Sequence, residues 1–143
     1  MDKTLAVGIK ITASSHLEGI LSHLPGYIYW KNKYSQYVWC NDNFARLASL
    51  NCSSEIFGKT EHDFTWTKGI AAKLLEDDQM AIQQAIKTTK EYRCSQAYWN
   101  DPFRSMSIER IPLYNETEEI CGLLAFVTGM INPKSVLRFI KYK

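Results

Sequence analysis

The chain has 143 residues, the length of one ordinary domain, and its 45% hydrophobic and 22% charged residues are typical of a globular domain with a single core. A formal net charge of +2, with no block of basic residues, argues against binding to nucleic acid or to an anionic membrane. The longest apolar run, residues 120–131, is too short to span a membrane, and residues 1–10 do not resemble a signal peptide. We therefore expect a cytoplasmic protein without a membrane partner.

The beginning of the chain is predicted to be an arm followed by a short helix. Residues 1–14 form the arm, in which the apolar alternation of residues 5–11 fits either a strand or an irregular segment. Ser15 and Glu18 then have the spacing of a helix capping box, and Pro25-Gly26 ends the helix. The apolar positions of this helix share one face, and they are Leu17, Ile20, Leu21 and Leu24.

A helix this short must dock on another surface to persist in water. We predict that its apolar stripe, together with a second helix beginning at Asn132-Pro133, forms the interface of a homodimer. The alternative is a monomer, in which the helix folds back on its own sheet.

An aromatic hairpin is predicted next, with strands at residues 27–31 and 36–40. Strict alternation would place Tyr37 and Trp39 together on one face of the second strand. Trp30 lies on the face opposite to its neighbouring tyrosines, so aromatic rings occupy both faces of the hairpin. One face is expected to contact helices, and the other needs a covering element such as the N-terminal helix.

Helical segments are predicted in the middle of the chain. Asn41 is placed to cap a first helix, residues 53–58 form a single turn closed by glycine, and residues 66–87 have helical periodicity. Asp77 and Asp78 interrupt that periodicity. We expect one of them to cap a new helix and the other to be solvated, since adjacent helical residues do not face the same way as a catalytic pair would require.

Three strands complete the predicted domain, at residues 91–99, 105–113 and 119–128. Because the strands come in runs and do not alternate with helices, we predict an α+β fold, a five-stranded antiparallel sheet with helices on one side. The domain proper is predicted at residues 15–131. Residues 132–143 are predicted to begin a C-terminal linker helix.

The ordered segments "LPGYIYWKNKYSQYVWCNDNFARLASL", "SSEIFGKTEHDFTW", "EDDQMAI" and "ERIPLYNETEEICGLLAFVTG" resemble a PAS domain. PAS domains are sensory modules of histidine kinases, cyclic-di-nucleotide enzymes and transcription factors. The resemblance covers residues 17–129 and includes a G-K-T-x-x-D-x-x-W segment at 58–66. The chain departs from the family at Thr128-Gly129-Met130, where many members have Asp-Ile-Thr.

The resemblance implies a bacterial sensory domain without catalytic activity, which binds a small molecule or a partner and signals to an output module. The expected output is a sensor kinase of a two-component system, a transcriptional regulator or another DNA-binding module. Two alternatives remain. One is a dimerisation or protein-interaction module with a filled core. The other is a small-molecule enzyme of cone-shaped α+β fold, which would need an acid–base pair that the sequence does not display.

No coloured cofactor or metal is expected. Cys52 lacks the Asn-Cys-Arg-Phe-Leu-Gln context of the flavin-binding relatives, and residues 68–87 contain no histidine that could ligate haem. The cysteines show no paired spacing for zinc and are expected to be reduced thiols. Gly58-Lys59-Thr60 is not a phosphate-binding loop, since Ser53 stands where its first glycine is required.

A ligand pocket between sheet and helices would draw side chains from both layers. The buried tyrosine hydroxyls and arginine expected there need polar partners, from a small ligand or from the protein itself. The predicted lining consists of Tyr29, Phe44, Phe57, Phe64, Leu74, Tyr98 and Arg110.

Overall fold

A computed structural model describes residues 9–10, 14–64, 67, 69–93 and 103–131. Two single 3₁₀ turns lie between the second and third helices, at Ser53–Ile56 and Glu61–Asp63. The helices and strands, in chain order, are β1 (Ile9–Lys10), α1 (Ser14–Leu21), β2 (Tyr27–Asn32), β3 (Tyr37–Cys40), α2 (Asp42–Leu47), α3 (Ala71–Gln84), β4 (Thr88–Arg93), β5 (Phe103–Tyr114) and β6 (Ile120–Ile131).

Five strands form an antiparallel sheet in the order β3-β2-β6-β5-β4, which confirms the predicted fold class. β1 adds a two-residue parallel pairing to β5, so part of the predicted arm belongs to the sheet. Helix α1 begins at Ser14, one residue before the predicted domain boundary. The predicted linker helix at 132–143 lies outside the described residues.

Asn41 connects the aromatic hairpin to α2, as its predicted role as a cap required. Its side-chain oxygen accepts from the backbone N–H of Phe44 at 2.9 Å and from that of Ile28 at 3.2 Å. Its amide nitrogen donates to the carbonyl of Gly26 at 2.8 Å. One side chain therefore fixes the start of α2 and the start of β2.

The two faces of the sheet carry two separate apolar clusters, as the hairpin sequence indicated. Helices α2 and α3 cover one face, where Tyr29, Phe44 and Met106 are buried. Leu21 of α1 packs on the other face against Ile28 and Trp30. The N-terminal helix is therefore a cover for its own sheet.

A β-bulge corrects the predicted facing of β3. Trp30 pairs with Trp39 and Lys31 pairs with Tyr37, so Val38 is an extra residue on β3. Tyr37 consequently lies in the cluster on the α2–α3 face, while Trp39 packs at the α1 face. The prediction that these two rings share a face was wrong because alternation fails at the bulge.

The position of Trp39 sets the expected effect of removing its ring. Because the ring is only partly buried, we expect Trp39→Ala to lower the free energy of unfolding by about 2 kcal/mol, roughly half the cost of removing a fully buried ring. Tyr34→Ala, at a ring that is mostly exposed, is the control and should have almost no effect. A Trp39→Ala loss as small as that of Tyr34→Ala in urea titration would contradict the observed packing.

Candidate ligand site beneath the sheet

Asp77 and Asp78 lie in the middle of α3 and are both buried, so the prediction of a helix start with one solvated aspartate was wrong. The helix is continuous from Ala71 and ends at Ala85, whose φ of 54° is left-handed. Periodicity could not reveal this burial, because charged residues are buried only where partners compensate them, and these partners lie far away in sequence.

Those partners form a buried charge cluster of Lys31, Glu61, Asp78 and Arg110, all at most 1% exposed. Lys31 Nζ of β2 lies 2.5 Å from Glu61 Oε1 and 2.6 Å from Asp78 Oδ2. Arg110 Nε of β5 lies 2.7 Å from Asp78 Oδ1. The cluster thereby ties α3 and the turn at Glu61 to two strands of the sheet.

Tyrosine hydroxyls extend the cluster on both sides. Tyr37 donates to Glu61 Oε1 at 2.6 Å. Arg110 Nη1 donates to the Tyr92 oxygen at 2.7 Å, and Tyr92 in turn donates to Asp77 Oδ2 at 2.6 Å. The Tyr92 hydroxyl therefore uses its acceptor and its donor at once, which fixes its orientation.

Neutralisation within the cluster is uneven. Both oxygens of Asp78 accept from cations, one from Lys31 and one from Arg110. Glu61 has only a share of Lys31, and its Oε2 is buried without a hydrogen-bond partner among the described residues. Leaving a buried carboxylate oxygen unpaired is costly. Asp77 Oδ1 is also buried without a hydrogen-bond partner, but Lys73 Nζ lies 3.2 Å from it. The cluster is therefore least complete at Glu61.

The pKa values of several buried groups on this face of the sheet are raised. Burial raises the pKa of Tyr29 and Tyr37 well above the ordinary value, and the charge of Glu61 adds to both shifts. Burial lowers the pKa of Lys31, but the nearby carboxylates outweigh it and the net shift is upward. Burial also raises the pKa of the Cys40 thiol to about 12.

These upward shifts predict alkaline lability. A group whose pKa is higher in the folded state stabilises the fold below its ordinary pKa, and this contribution disappears as the pH rises through the folded value. Stability in urea should therefore be level below pH 9, the ordinary value of Cys40, and then fall by about 1.4 kcal/mol per pH unit for each such group. Cys40→Ala should remove part of the decline that begins near pH 9. Stability that stays level to pH 11 would contradict the prediction.

The predicted pocket residues meet only in part. Tyr29, Phe44, Phe64 and Leu74 are buried in one cluster, and the ring centres of Tyr29 and Phe44 lie 4.8 Å apart. Arg110 is fully buried, and its polar partners come from the protein itself. Tyr98 lies outside the described residues.

Phe57 does not belong to this core. Its side chain is 73% exposed, and the buried apolar residue of its turn is Ile56. The turn ends at Ile56, and the exposed Phe57 that follows it does not reach the predicted pocket.

Sequence reasoning missed Lys31, Glu61 and both aspartates as members of the site. A lysine directly after "YIYW" was a usable signal, since a buried strand rarely carries a charge without a partner. Glu61 gave no such signal, because nothing in its local sequence distinguishes it from a solvated acid.

The apolar stripe of α1 that was predicted to form a dimer interface is partly packed against the sheet and partly exposed. Leu17 and Leu21 pack on the chain's own sheet. Ile20 is 63% exposed and Leu24 is 42% exposed. These two side chains leave an apolar patch beside the covered sheet face.

A surface cleft of about 510 Å³ adjoins the turn that carries Glu61. Phe64 and Thr67 line this cleft and also hold the turn, since the N–H of Phe64 and the hydroxyl of Thr67 both donate to the Glu61 carbonyl. The cleft therefore adjoins the backbone of the turn that carries the Glu61 side chain. Its lining residues are His62, Asp63, Phe64, Thr67, Gly69, Ala71 and Ala72.

Within the described residues, no group of three histidine, cysteine, aspartate or glutamate side chains is arranged to hold a metal ion. The helices among the same residues are too short or too polar to cross a membrane.

Comparison with protein-family models finds no match. A diguanylate cyclase of Vibrio cholerae serotype O1 (strain O395) is 28% identical over 114 residues, which are 79% of this chain and 35% of the cyclase. Among solved structures, the PAS domain of Bordetella pertussis BvgS has a TM-score of 0.74 at 15% identity, covering 90% of this chain and 93% of that domain. Vibrio cholerae VqmA has a TM-score of 0.65 at 19% identity, covering 84% of this chain and 52% of VqmA.

The chain has a PAS fold, which confirms the resemblance found in the sequence. The five-stranded antiparallel sheet, its face covered by α2 and α3, and the similarity to solved PAS domains all support this. The chain spans about a third of the cyclase and about half of VqmA.

Proposed function

We propose that this chain is the sensory domain of a bacterial signalling protein, that it has no catalytic activity, and that it binds a small polar molecule at the buried charge cluster. The observation that carries the proposal is the buried Oε2 of Glu61, which has no hydrogen-bond partner among the described residues although Oε1 of the same carboxylate accepts from Lys31 and Tyr37. A filled structural core would gain nothing from leaving a carboxylate oxygen buried and unsolvated.

The cluster also provides a route for the signal. Lys31 and Arg110 belong to the central strands, whereas Asp78 belongs to α3 and Glu61 to the preceding turn. A ligand that takes a hydrogen bond from one residue of the cluster changes the strength of the hydrogen bonds and ion pairs among the other residues. The equilibrium between two sheet–helix arrangements then shifts by the ligand's differential affinity for them.

The output is proposed to lie in other parts of a longer cytoplasmic protein. Support comes from the share of the relatives that the chain covers, 35% of the cyclase and 52% of VqmA. The solved relatives include a sensor histidine kinase of Vibrio cholerae and VqmA bound to DPO. A kinase, a cyclase and a DNA-binding module are therefore the proposed output classes, the first in a two-component system.

Native mass spectrometry of the purified chain, incubated with a soluble metabolite extract of a bacterium, tests ligand binding. We expect a bound species below about 500 Da, since PAS-sized cavities hold small ligands. Arg110→Met, which breaks the cluster, should abolish it, whereas Lys87→Met, at an exposed ion pair, should retain it. A wild-type chain that binds nothing, or binds equally after Arg110→Met, would contradict the proposal.

A second proposed function is homodimerisation through α1, which the exposed Ile20 and Leu24 favour. Leu17 and Leu21 are unsuitable test positions, because they pack on the chain's own sheet. Ile20→Glu with Leu24→Glu should convert a dimer to a monomer in light scattering, whereas Tyr34→Glu, at a distant exposed ring, should not. A monomeric wild-type chain at high concentration would exclude this function.

A further inference from the structure

From the uneven charge balance around Glu61 we infer that the ligand of this domain is a small organic cation, a primary ammonium compound whose N–H groups donate to Glu61 Oε2. The inference rests on the proposed sensory function and specifies its ligand class.

Charge balance is the first argument. The buried carboxylates are Glu61, Asp77 and Asp78, and the buried cations are Lys31 and Arg110. Asp78 takes contacts from both cations. Asp77 is compensated by Tyr92 and by the exposed Lys73, 3.2 Å from its second oxygen. The three cations balance the three carboxylates in number, but Asp78 takes contacts from both buried cations, which leaves Glu61 the least compensated carboxylate.

Hydrogen-bond chemistry is the second argument. A carboxylate only accepts, so the free Oε2 selects a donor and repels another anion. A charged donor forms the stronger bond and also neutralises the site. An anionic ligand would have to displace Glu61 from Lys31, whose contact is 2.5 Å. A neutral donor would satisfy Oε2 but would add no charge compensation at Glu61.

The surroundings suit an ammonium group. Lys31 Nζ already lies 4.6 Å from the centre of the Tyr37 ring, so this face of the core accepts a cation against aromatic rings. Phe64 stands edge-on to Tyr37, with ring centres 5.5 Å apart, and also lines the outer cleft. Phe64 therefore lies between the cleft and the Tyr37 ring, which places the ligand's entrance at this side chain.

The test uses ethylammonium chloride as the probe, with sodium acetate and sodium chloride at equal ionic strength. Amide NMR titration of the chain should show saturable shifts at Tyr37, Glu61 and Phe64 with ethylammonium, in the millimolar range expected for about three heavy atoms. Acetate should give no saturable shifts there. Saturation by acetate instead, or by neither probe, would overturn the inference.

Variants separate Glu61 from nonspecific binding. Glu61→Gln should weaken ethylammonium binding roughly tenfold or more, because it removes the charge of the acceptor. Glu55→Gln, at an exposed carboxylate in the neighbouring turn, should leave the affinity unchanged. Unchanged affinity in a folded Glu61→Gln variant would overturn the inference.

Tyr37→Phe provides a second variant in case Glu61→Gln does not fold. It removes the hydroxyl that occupies Oε1 and leaves the carboxylate, so ethylammonium binding should be retained or become tighter. Loss of binding in a folded Tyr37→Phe chain would overturn the inference. A neutral or acidic metabolite found in the interior would also overturn it, while the proposed sensory function would stand.

Discussion

Replacing Asp78 with asparagine is expected to lower the free energy of unfolding by about 3–5 kcal/mol, the cost of removing one partner from a buried ion pair. Asparagine keeps the shape of the side chain but removes the charge. Lys31, which is fully buried, then keeps only Glu61, and the equally buried Arg110 loses its carboxylate contact. Burying a cation without adequate compensation is the largest energetic penalty this core can suffer from one isosteric change.

A matched control lies two residues away on the same helix. Glu76 is exposed and only 3.8 Å from the exposed Lys73, so Glu76→Gln should change stability by less than about 0.5 kcal/mol. Both variants keep the helix and differ only in the burial of the charge removed. Equal unfolding midpoints for Asp78→Asn and Glu76→Gln in urea would show that the cluster does not hold the sheet to α3.

A buried charge cluster is not the arrangement that would make the folded chain most stable. Burying four charges costs several kcal/mol of desolvation per ion, and apolar side chains of similar size often serve stability as well or better. Lys31 and Arg110 are instead held by residues that come from a helix and a turn. This arrangement suits a domain in which the contact between sheet and helix is meant to change.

The sequence predicted the elements better than it predicted the interior. Periodicity placed the strands and helices within a few residues, and Asn41 was correctly identified as a cap because capping is local chemistry. The contact between Lys31 and Asp78 spans 47 positions, so no local pattern contains it. The two aspartates were assigned by what such charges usually do, one to a helix cap and the other to solvent, and Lys31 was given no role.

The bulge in β3 illustrates the same limit within an element. Alternation is a property of regular pairing, and an extra residue changes the face of every side chain beyond it. Tyr37 reaches Glu61 only because the bulge at Val38 places the Tyr37 ring on the α2–α3 face of the sheet. A property of the pairing between two strands therefore decided which tyrosine belongs to the site.

Gly122→Ala is expected to destabilise the chain by at least about 3 kcal/mol, the upper end of what overpacking usually costs. Gly122 lies in β6 opposite Asn32 of β2, and a Cβ there would stand 1.9 Å from the carbonyl oxygen of Lys31. The clashing atom belongs to the backbone of a paired strand, so no side-chain rotation relieves it. Either β2 separates from β6 locally, or the backbone of Lys31 shifts and its ammonium group leaves Glu61 and Asp78.

The control for this change is Gly19→Ala in α1, where a Cβ would meet nothing within 4 Å. That substitution should stabilise the helix by about 0.5–1 kcal/mol, because alanine restricts the unfolded chain and favours helix. Urea unfolding followed by tryptophan fluorescence measures both changes. The shift of the Lys31 backbone should also reduce ligand binding in whatever fraction of the Gly122→Ala chain stays folded, so stability and binding should fall together. A Gly122→Ala chain as stable as the wild type would mean that β2 and β6 are not in the register that places Lys31 beside Glu61.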